Sequence, residues 1–267
     1  MPVWVTSCAP RSAEPVETSD DAVLGGRLLL RQPLKGHRVG HDAILLAAAT
    51  GGRAGEHVAE FGAGVGAAGL ALAQRVPGLD VALVEIDPAL CALAAHNAAR
   101  NGLAGRVRAV AADIENIAAL TAAGLEAGGL DRVLMNPPFN DPGRHNVSPD
   151  ASRRLAHVAA SDLLPRWVRS AARLLKTSGV LTLIWRADAR EHVLAALQDG
   201  FGDVAVLPVL PRPDAAPIRI LVRAVKDAGA GVAEVPGLEL NDPAGHPSAA
   251  AEAILRGGGL LTLAAIA

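Results

Sequence analysis

An amide side chain followed by two prolines and a ring, Asn136-Pro137-Pro138-Phe139, closes the apolar run in LMNPPFND (134–141). Adjacent prolines fix φ and remove two backbone donors, so the run must end in a rigid turn. Such a turn can aim two acceptors, Asn136 Oδ1 and the Pro137 carbonyl, at one planar amino group. Each would take one N–H, drawing the nitrogen toward tetrahedral geometry and restoring a lone pair otherwise delocalised into a ring. Phe139 supplies a face on which a flat ring can stack. Three carboxylates occupy comparable places. Glu60 precedes Gly62, Gly64 and Gly66 in VAEFGAGVGAAGLALA (58–73), Glu85 lies near the end of VALVEI (81–86), and Asp113 follows VRAVAA (107–112).

These residues are comparable because of the elements that must carry them. Apolar strand signals at 57–61, 81–86, 107–112, 132–136 and 179–185 alternate with helix signals at 67–75, 89–101, 114–123 and 162–175. Regular strand–helix alternation with short loops predicts an α/β fold with a doubly wound, mostly parallel sheet. After Trp185 a helix over 189–198 leads to strands 203–210 and 218–226, joined by a Pro-rich loop, which predicts an antiparallel edge pair. Glu60, Glu85, Asp113 and Asn136 then all fall at strand carboxyl ends, where doubly wound sheets bind ligands.

Upstream, residues 1–24 are rich in Pro, Ser and acids and read as a flexible tail. Residues 25–50 read as a hairpin turning near Lys35-Gly36, then a helix N-capped by Asp42. Residues 51–226 form the main domain, and 227–267 add a strand near GLELN and a helix over 248–256 ended by Gly257–Gly259.

Composition narrows the classes. The chain is 51% hydrophobic and 19% charged with net charge −2, enough for a large core and neutral on nucleic acid. No apolar run reaches membrane-spanning length, and the N-terminus lacks the pattern of a signal peptide. Two cysteines, Cys8 and Cys91, fit a reducing cytoplasm, and no metal-ligand spacing is present. Tyrosine is absent, and lysine occurs only at 35, 176 and 226, an arginine excess read as codon bias. With so few rings, Phe139 is the obvious stacking platform.

The glycine run allows close approach of a ligand to backbone, and an acid ending the next strand suits two ribose hydroxyls. A nicotinamide site shares both features. A carboxylate at Glu60 disfavours a pyrophosphate and favours a ligand with a cationic end, such as S-adenosylmethionine (SAM). Asp113 is placed either to accept from an adenine amino group or to cap the following helix.

Together these motifs resemble those of the class I SAM-dependent methyltransferases, in particular the enzymes with N-P-P-[FY] that methylate planar amino or amide nitrogen. The resemblance covers about residues 40–226 and implies a seven-stranded Rossmann-like sheet. LRQPLKGHRVGHDAILLAA (30–48) is similar to the entry segment of the bacterial valine-tRNA adenine-N6 methyltransferases, matching at Gln32, Pro33, Gly36, Arg38, Asp42, Leu45 and Leu46. His37 and His246 stand where that family commonly has aromatics.

The resemblance implies a cytoplasmic enzyme needing no metal, using SAM and releasing S-adenosylhomocysteine, with RNA and most naturally tRNA as partner. Its cofactor residues would be Arg38, Asp42, Glu60, Gly62, Ala63, Gly64, Glu85, Ile86, Asp113, Ile114 and Asn136. Its reacting residues would be Asn136, Pro137 and Phe139. Residues 144–190 hold nine basic side chains against three acidic ones. Arg144, Arg153 and Arg154 in the loop 140–157, with Lys35, are the nominees for RNA phosphates. Glutamine-amide methylation of a protein, and a non-catalytic RNA-binding module on the same scaffold, remain alternatives.

Overall fold

The computed structural model describes residues 17–36, 38–138 and 151–266, with backbone alone for 151–162. The chain opens with β1 (Thr18–Val23) and β2 (Leu28–Pro33), followed by α1 (His41–Ala49), β3 (His57–Phe61), α2 (Ala67–Arg75), β4 (Asp80–Glu85) and α3 (Pro88–Arg100). Next come β5 (Val107–Ala111), α4 (Ile117–Ala122), β6 (Leu130–Met135), α5 (Ala151–Leu174) and β7 (Leu175–Arg186). The remainder is α6 (Arg190–Leu197), β8 (Phe201–Leu210), β9 (Arg219–Lys226), β10 (Val232–Glu234), β11 (Leu238–Glu239), α7 (Ala249–Leu255) and α8 (Thr262–Ala265).

The main sheet runs β10-β8-β9-β7-β6-β3-β4-β5, with β11 also on β8. Strands β5, β4, β3, β6 and β7 are parallel, and β9 enters antiparallel between β7 and β8. The expected seven strands are present, and the short β10 and β11 add to them, so β8 is covered rather than left as an edge.

Alternate residues feed opposite faces. Val58, Val81, Leu83 and Leu134 pack with α1, α2 and α3, whereas Ala59, Phe61, Val84, Val133 and Met135 pack with α4, α5 and α6. Because both faces are covered, the strands read as continuous apolar runs rather than as alternation.

Several expectations need correction. Residues 18–23, assigned to the tail, form β1 and pair antiparallel with β2 from Thr18↔Pro33 to Val23↔Leu28. The hairpin turns at Leu24–Arg27, where Leu24, Gly25 and Gly26 all have positive φ, and not at Lys35-Gly36. The acidic run of β1 is accommodated because each carboxylate has basic or amide partners. Asp20 meets Arg31 and Arg100, and Asp21 meets Gln32, Ser19 and Arg38. Helix α1 is preceded by Gly40 rather than capped by Asp42, which lies in its first turn. Helix α4 is capped by Asn116, whose Oδ1 accepts from Ala119 N at 3.1 Å, and not by Asp113.

Two devices have no counterpart in the sequence reading. The outer edge of β2 is paired by side chains instead of a strand. Asn97 accepts from Arg31 N at 2.7 Å and donates to Arg31 O at 3.0 Å, and Asn101 does the same for Leu29 at 2.9 and 2.7 Å. Residues four apart on a helix rise about 6 Å, close to the ~6.6 Å between alternate strand residues. Two amides on successive turns of α3 therefore match two peptide groups of β2.

The second device is capping of helix C-termini by arginine. Arg75 donates to Ala47 O and Thr50 O at the end of α1, and Arg106 to Ala73 O and Val76 O at the end of α2. Arg108 donates to Ala123 O after α4, and Arg27 to Arg256 O and Gly257 O after α7. These guanidinium groups satisfy carbonyls that a helix end leaves open. Part of the arginine excess is therefore structural.

Candidate active site

Strand register sets the site. Phe61, the last residue of β3, pairs with Met135 on one side and Val84 on the other, and Glu85 pairs with Ala111. Asn136, the glycine run, Glu85 and Asp113 thus leave one edge of four adjacent strands, in the order β6-β3-β4-β5.

The three glycines do different work. Gly62 has φ +63° and faces Trp167, whose ring would lie 2.5 Å from an added Cβ. Gly66 has φ +86° and would press a Cβ to 2.7 Å from Leu83 Cδ1. Gly62 and Gly66 are thus packing glycines. Gly64, at φ +56°, has no atom within 4 Å of an added Cβ, so the open face of the loop is here. Ala63 is buried and donates its N–H to Val84 O at 2.9 Å.

Glu85 stands beneath that open face. Its Oε2 accepts from Gly64 N at 2.8 Å and its Oε1 from Asp87 N at 2.9 Å. Each oxygen keeps a second lone pair, as acceptance of ligand hydroxyls requires. Ile86, next in the chain, is 67% exposed, an apolar surface at the same strand end.

Glu60 is oriented differently from the sequence expectation. It is buried, and its Oε2 accepts from Gly69 N, an N–H in the first turn of α2, at 2.7 Å. It serves as a remote cap for a helix whose preceding residue, Gly66, offers no side chain. Burial, assisted by the nearby Glu85 carboxylate, pushes its carboxyl up to about 8 despite two backbone amides that favour the charged form. The Glu60 carboxyl therefore caps α2 and does not select a cationic ligand at the loop.

Asp113 is exposed, with Oδ1 accepting from Glu115 N at 2.9 Å, while Ile114 is buried in the core below α4 and offers a ligand backbone only. Arg38 and Asp42 are tied into structure. Arg38 spans Asp21, Ser19 and the Pro33 carbonyl, and Asp42 accepts from Arg219 Nε at 2.9 Å, joining α1 to β9. Lys35 is exposed beside this segment.

At the end of β6, Pro137 is buried, and Asn136 Oδ1 is buried without a hydrogen-bond partner among the described residues. A buried acceptor left unpaired costs about 1–3 kcal/mol, so a donor from a ligand is the natural complement. Phe139 and Arg144 lie outside the described residues, and Arg153 and Arg154 lie on α5 where backbone alone is described. The described rings, Phe61, Trp167, Trp185 and Phe201, are all buried.

The described basic residues of 163–190 are dispersed. Lys176 pairs with Asp131 at the amino end of β6, opposite the site, while Arg166 pairs with Glu115 and Arg186 with Asp188. Missing from the sequence reading were Trp167 as the wall behind Gly62 and Asn97, which donates to Val65 O in the glycine loop at 3.0 Å. Asparagine at the interior helix position 97, where propensity disfavours it, was the available signal.

A parallel sheet flanked by helices, with an antiparallel strand inserted beside β8 and polar groups at one strand edge, is the architecture of the class I methyltransferases. The profile of the methyltransferase small domain family matches residues 38–209, and the chain belongs to that family. A tRNA1(Val) (adenine(37)-N6)-methyltransferase of Porphyromonas gingivalis is 33% identical over 155 residues, covering 57% of this chain and 59% of that protein. The match thus spans about three fifths of that curated relative. Among solved structures, a predicted O-methyltransferase from Agrobacterium tumefaciens superposes with a TM-score of 0.69 at 25% identity, over 82% of this chain and 98% of that one. The 16S rRNA N2 G1207 methyltransferase of Thermus thermophilus, in complex with AdoMet and guanosine, gives 0.55 at 21% identity, over 82% of this chain and 52% of that one. Among the described residues no helix is long and apolar enough to cross a membrane, and no group of three His, Cys, Asp or Glu could hold a metal.

Proposed function

We propose that this chain is a SAM-dependent N-methyltransferase acting on an exocyclic amino group of a nucleobase in RNA, with adenine N6 in tRNA as the foremost acceptor. The observation that carries the reading is Asn136 Oδ1, a buried acceptor unpaired among the described residues, beside the buried Pro137 at the strand edge that also holds the open Gly64 face and Glu85. These residues fit the cofactor. Gly64 leaves room for close approach, Glu85 keeps acceptor capacity for ribose hydroxyls, and Ile86 offers an apolar surface for the adenine. When bound, SAM supplies an electrophilic methyl on a sulfonium leaving group.

The rest of the chemistry belongs to the chain. Asn136 Oδ1 and the Pro137 carbonyl accept the two N–H groups of the target amine and restore its lone pair. The prolines hold both acceptors at a fixed angle before the acceptor base arrives. Phe139 stacks on the base once it is out of its loop. The curated relative named for adenine(37)-N6 of tRNA1(Val) supports the choice of acceptor. A tRNA acceptor also agrees with the cytoplasmic setting read from the cysteines.

The test is incubation of the purified protein with SAM and, in parallel, unmodified tRNA and total cell protein, followed by mass spectrometry of nucleosides and peptides. N6-methyladenosine in tRNA is the expected product. Methylglutamine in protein with unmodified tRNA would replace this reading by the glutamine-amide alternative. Binding of S-adenosylhomocysteine without methyl transfer to any RNA or protein would favour the non-catalytic module.

A further inference from the structure

We infer that Asn97 is a positioning residue for the glycine loop, and that through it the β1–β2 hairpin forms part of the cofactor site. The inference rests on the SAM reading above.

Asn97 is fully buried on α3, and its amide makes three hydrogen bonds to two other elements. Oδ1 and one N–H hold both peptide groups of Arg31 in β2. The Nδ2 group also donates to Val65 O, one residue past the open Gly64. A primary amide has two N–H donors and a carbonyl oxygen, and the bonds of all three groups join these two segments.

The glycine loop is otherwise tied to β4 and closed on itself by Gly66 N donating to Ala63 O at 2.7 Å. Ala63 N donates to Val84 O at 2.9 Å, and Gly64 N donates to the Glu85 carboxylate at 2.8 Å. Three positive-φ glycines leave its peptide planes free to rotate unless hydrogen bonds fix them. Asn97 fixes the peptide that follows Val65 from the side opposite β4. Loss of that bond leaves the peptide between Val65 and Gly66, one residue beyond the open Gly64, held by the Gly66 N–H bond to Ala63 O alone among the described residues. The hairpin then carries the constraint outward. Gln32, adjacent to Arg31, accepts from Val39 N at 2.9 Å and donates to Asp21 at 2.9 Å, so the segment leading into α1 is held by the same strand.

Asn101 is the internal control. It pairs with both peptide groups of Leu29 as Asn97 does with Arg31, and its remaining donor bond goes to Asn97 O within α3. Removing it weakens the hairpin edge and leaves the Val65 bond in place.

The experiment compares Asn97→Ala with Asn101→Ala. Calorimetry with S-adenosylhomocysteine is expected to show binding weakened about 10-fold for N97A and within about 2-fold of wild type for N101A. In turnover with tRNA, N97A should raise KM for SAM by a similar factor while kcat at saturating SAM stays within about 2-fold. Should N97A not fold, amide hydrogen exchange of the wild type gives the answer. S-adenosylhomocysteine should slow exchange at Arg31 more than at Leu29. Equal losses of affinity in the two variants, or equal protection of the two amides, overturns the inference. Failure of the wild type to bind S-adenosylhomocysteine overturns the cofactor reading instead, so the two failures are distinguishable.

Discussion

Replacing Glu60 by glutamine tests the electrostatics under the glycine loop directly. The Glu60 carboxyl is buried, accepts from Gly69 N, and is pushed up to about 8 from an ordinary 4.5, with burial as the largest cause. The folded state therefore holds a proton that the unfolded chain releases. Between these two values, stability falls as pH rises, by about 1.4 kcal/mol per pH unit. Over pH 5 to 8 this single group should remove about 3–4 kcal/mol of unfolding free energy. The glutamine keeps an acceptor for Gly69 N and has nothing to titrate. It must bury an extra N–H, so at pH 5 the variant should be the less stable protein by about 1–2 kcal/mol. At pH 8 the order should invert. Urea denaturation at pH 5, 6.5 and 8, followed by the fluorescence of the buried Trp167 and Trp185, measures both curves. Other groups titrate alike in the two proteins and cancel in the difference. Parallel profiles over this range would refute the account and place the Glu60 carboxylate in a charged, fully compensated state.

Asn136→Ala removes the unpaired acceptor and should lower kcat about 100-fold or more with S-adenosylhomocysteine affinity nearly unchanged, as steady-state kinetics and calorimetry together show. Phe139→Ala should weaken use of tRNA about 10–100-fold and leave cofactor binding intact, the value of one stacked base. Gly62→Ala meets positive φ and the Trp167 ring together, so a loss of about 2–4 kcal/mol and a lower Tm are expected. Gly64→Ala faces open space, so it should cost stability only about 1–2 kcal/mol by thermal denaturation while reducing cofactor affinity more than Gly62→Ala does.

The sheet and its helices were legible because burial on both faces writes itself as unbroken apolar runs between glycines. Helix α2 falls on the expected residues 67–75, and the four strands that end near Glu60, Glu85, Asp113 and Asn136 lie side by side in the order β6-β3-β4-β5. The hairpin was misplaced because β1, TSDDAV, has neither apolar continuity nor a clear alternation, and its carboxylates read as solvated tail. What stabilises them, Arg31, Arg38, Arg100 and Gln32, is brought in by tertiary contact. Gly25-Gly26 was a visible turn signal passed over for Lys35-Gly36. Spacing placed Glu60 at the right strand end but could not say which way its side chain turns. That direction depends on Gly69, where a side chain would strike Leu83 and Glu60 itself.

The arginines at the ends of α1, α2, α4 and α7 also shape the field of the whole molecule. Each sits at a helix's negative pole and offsets it. Because these guanidinium groups are committed to helix carbonyls, they count toward folding before they count as cations for a polyanion.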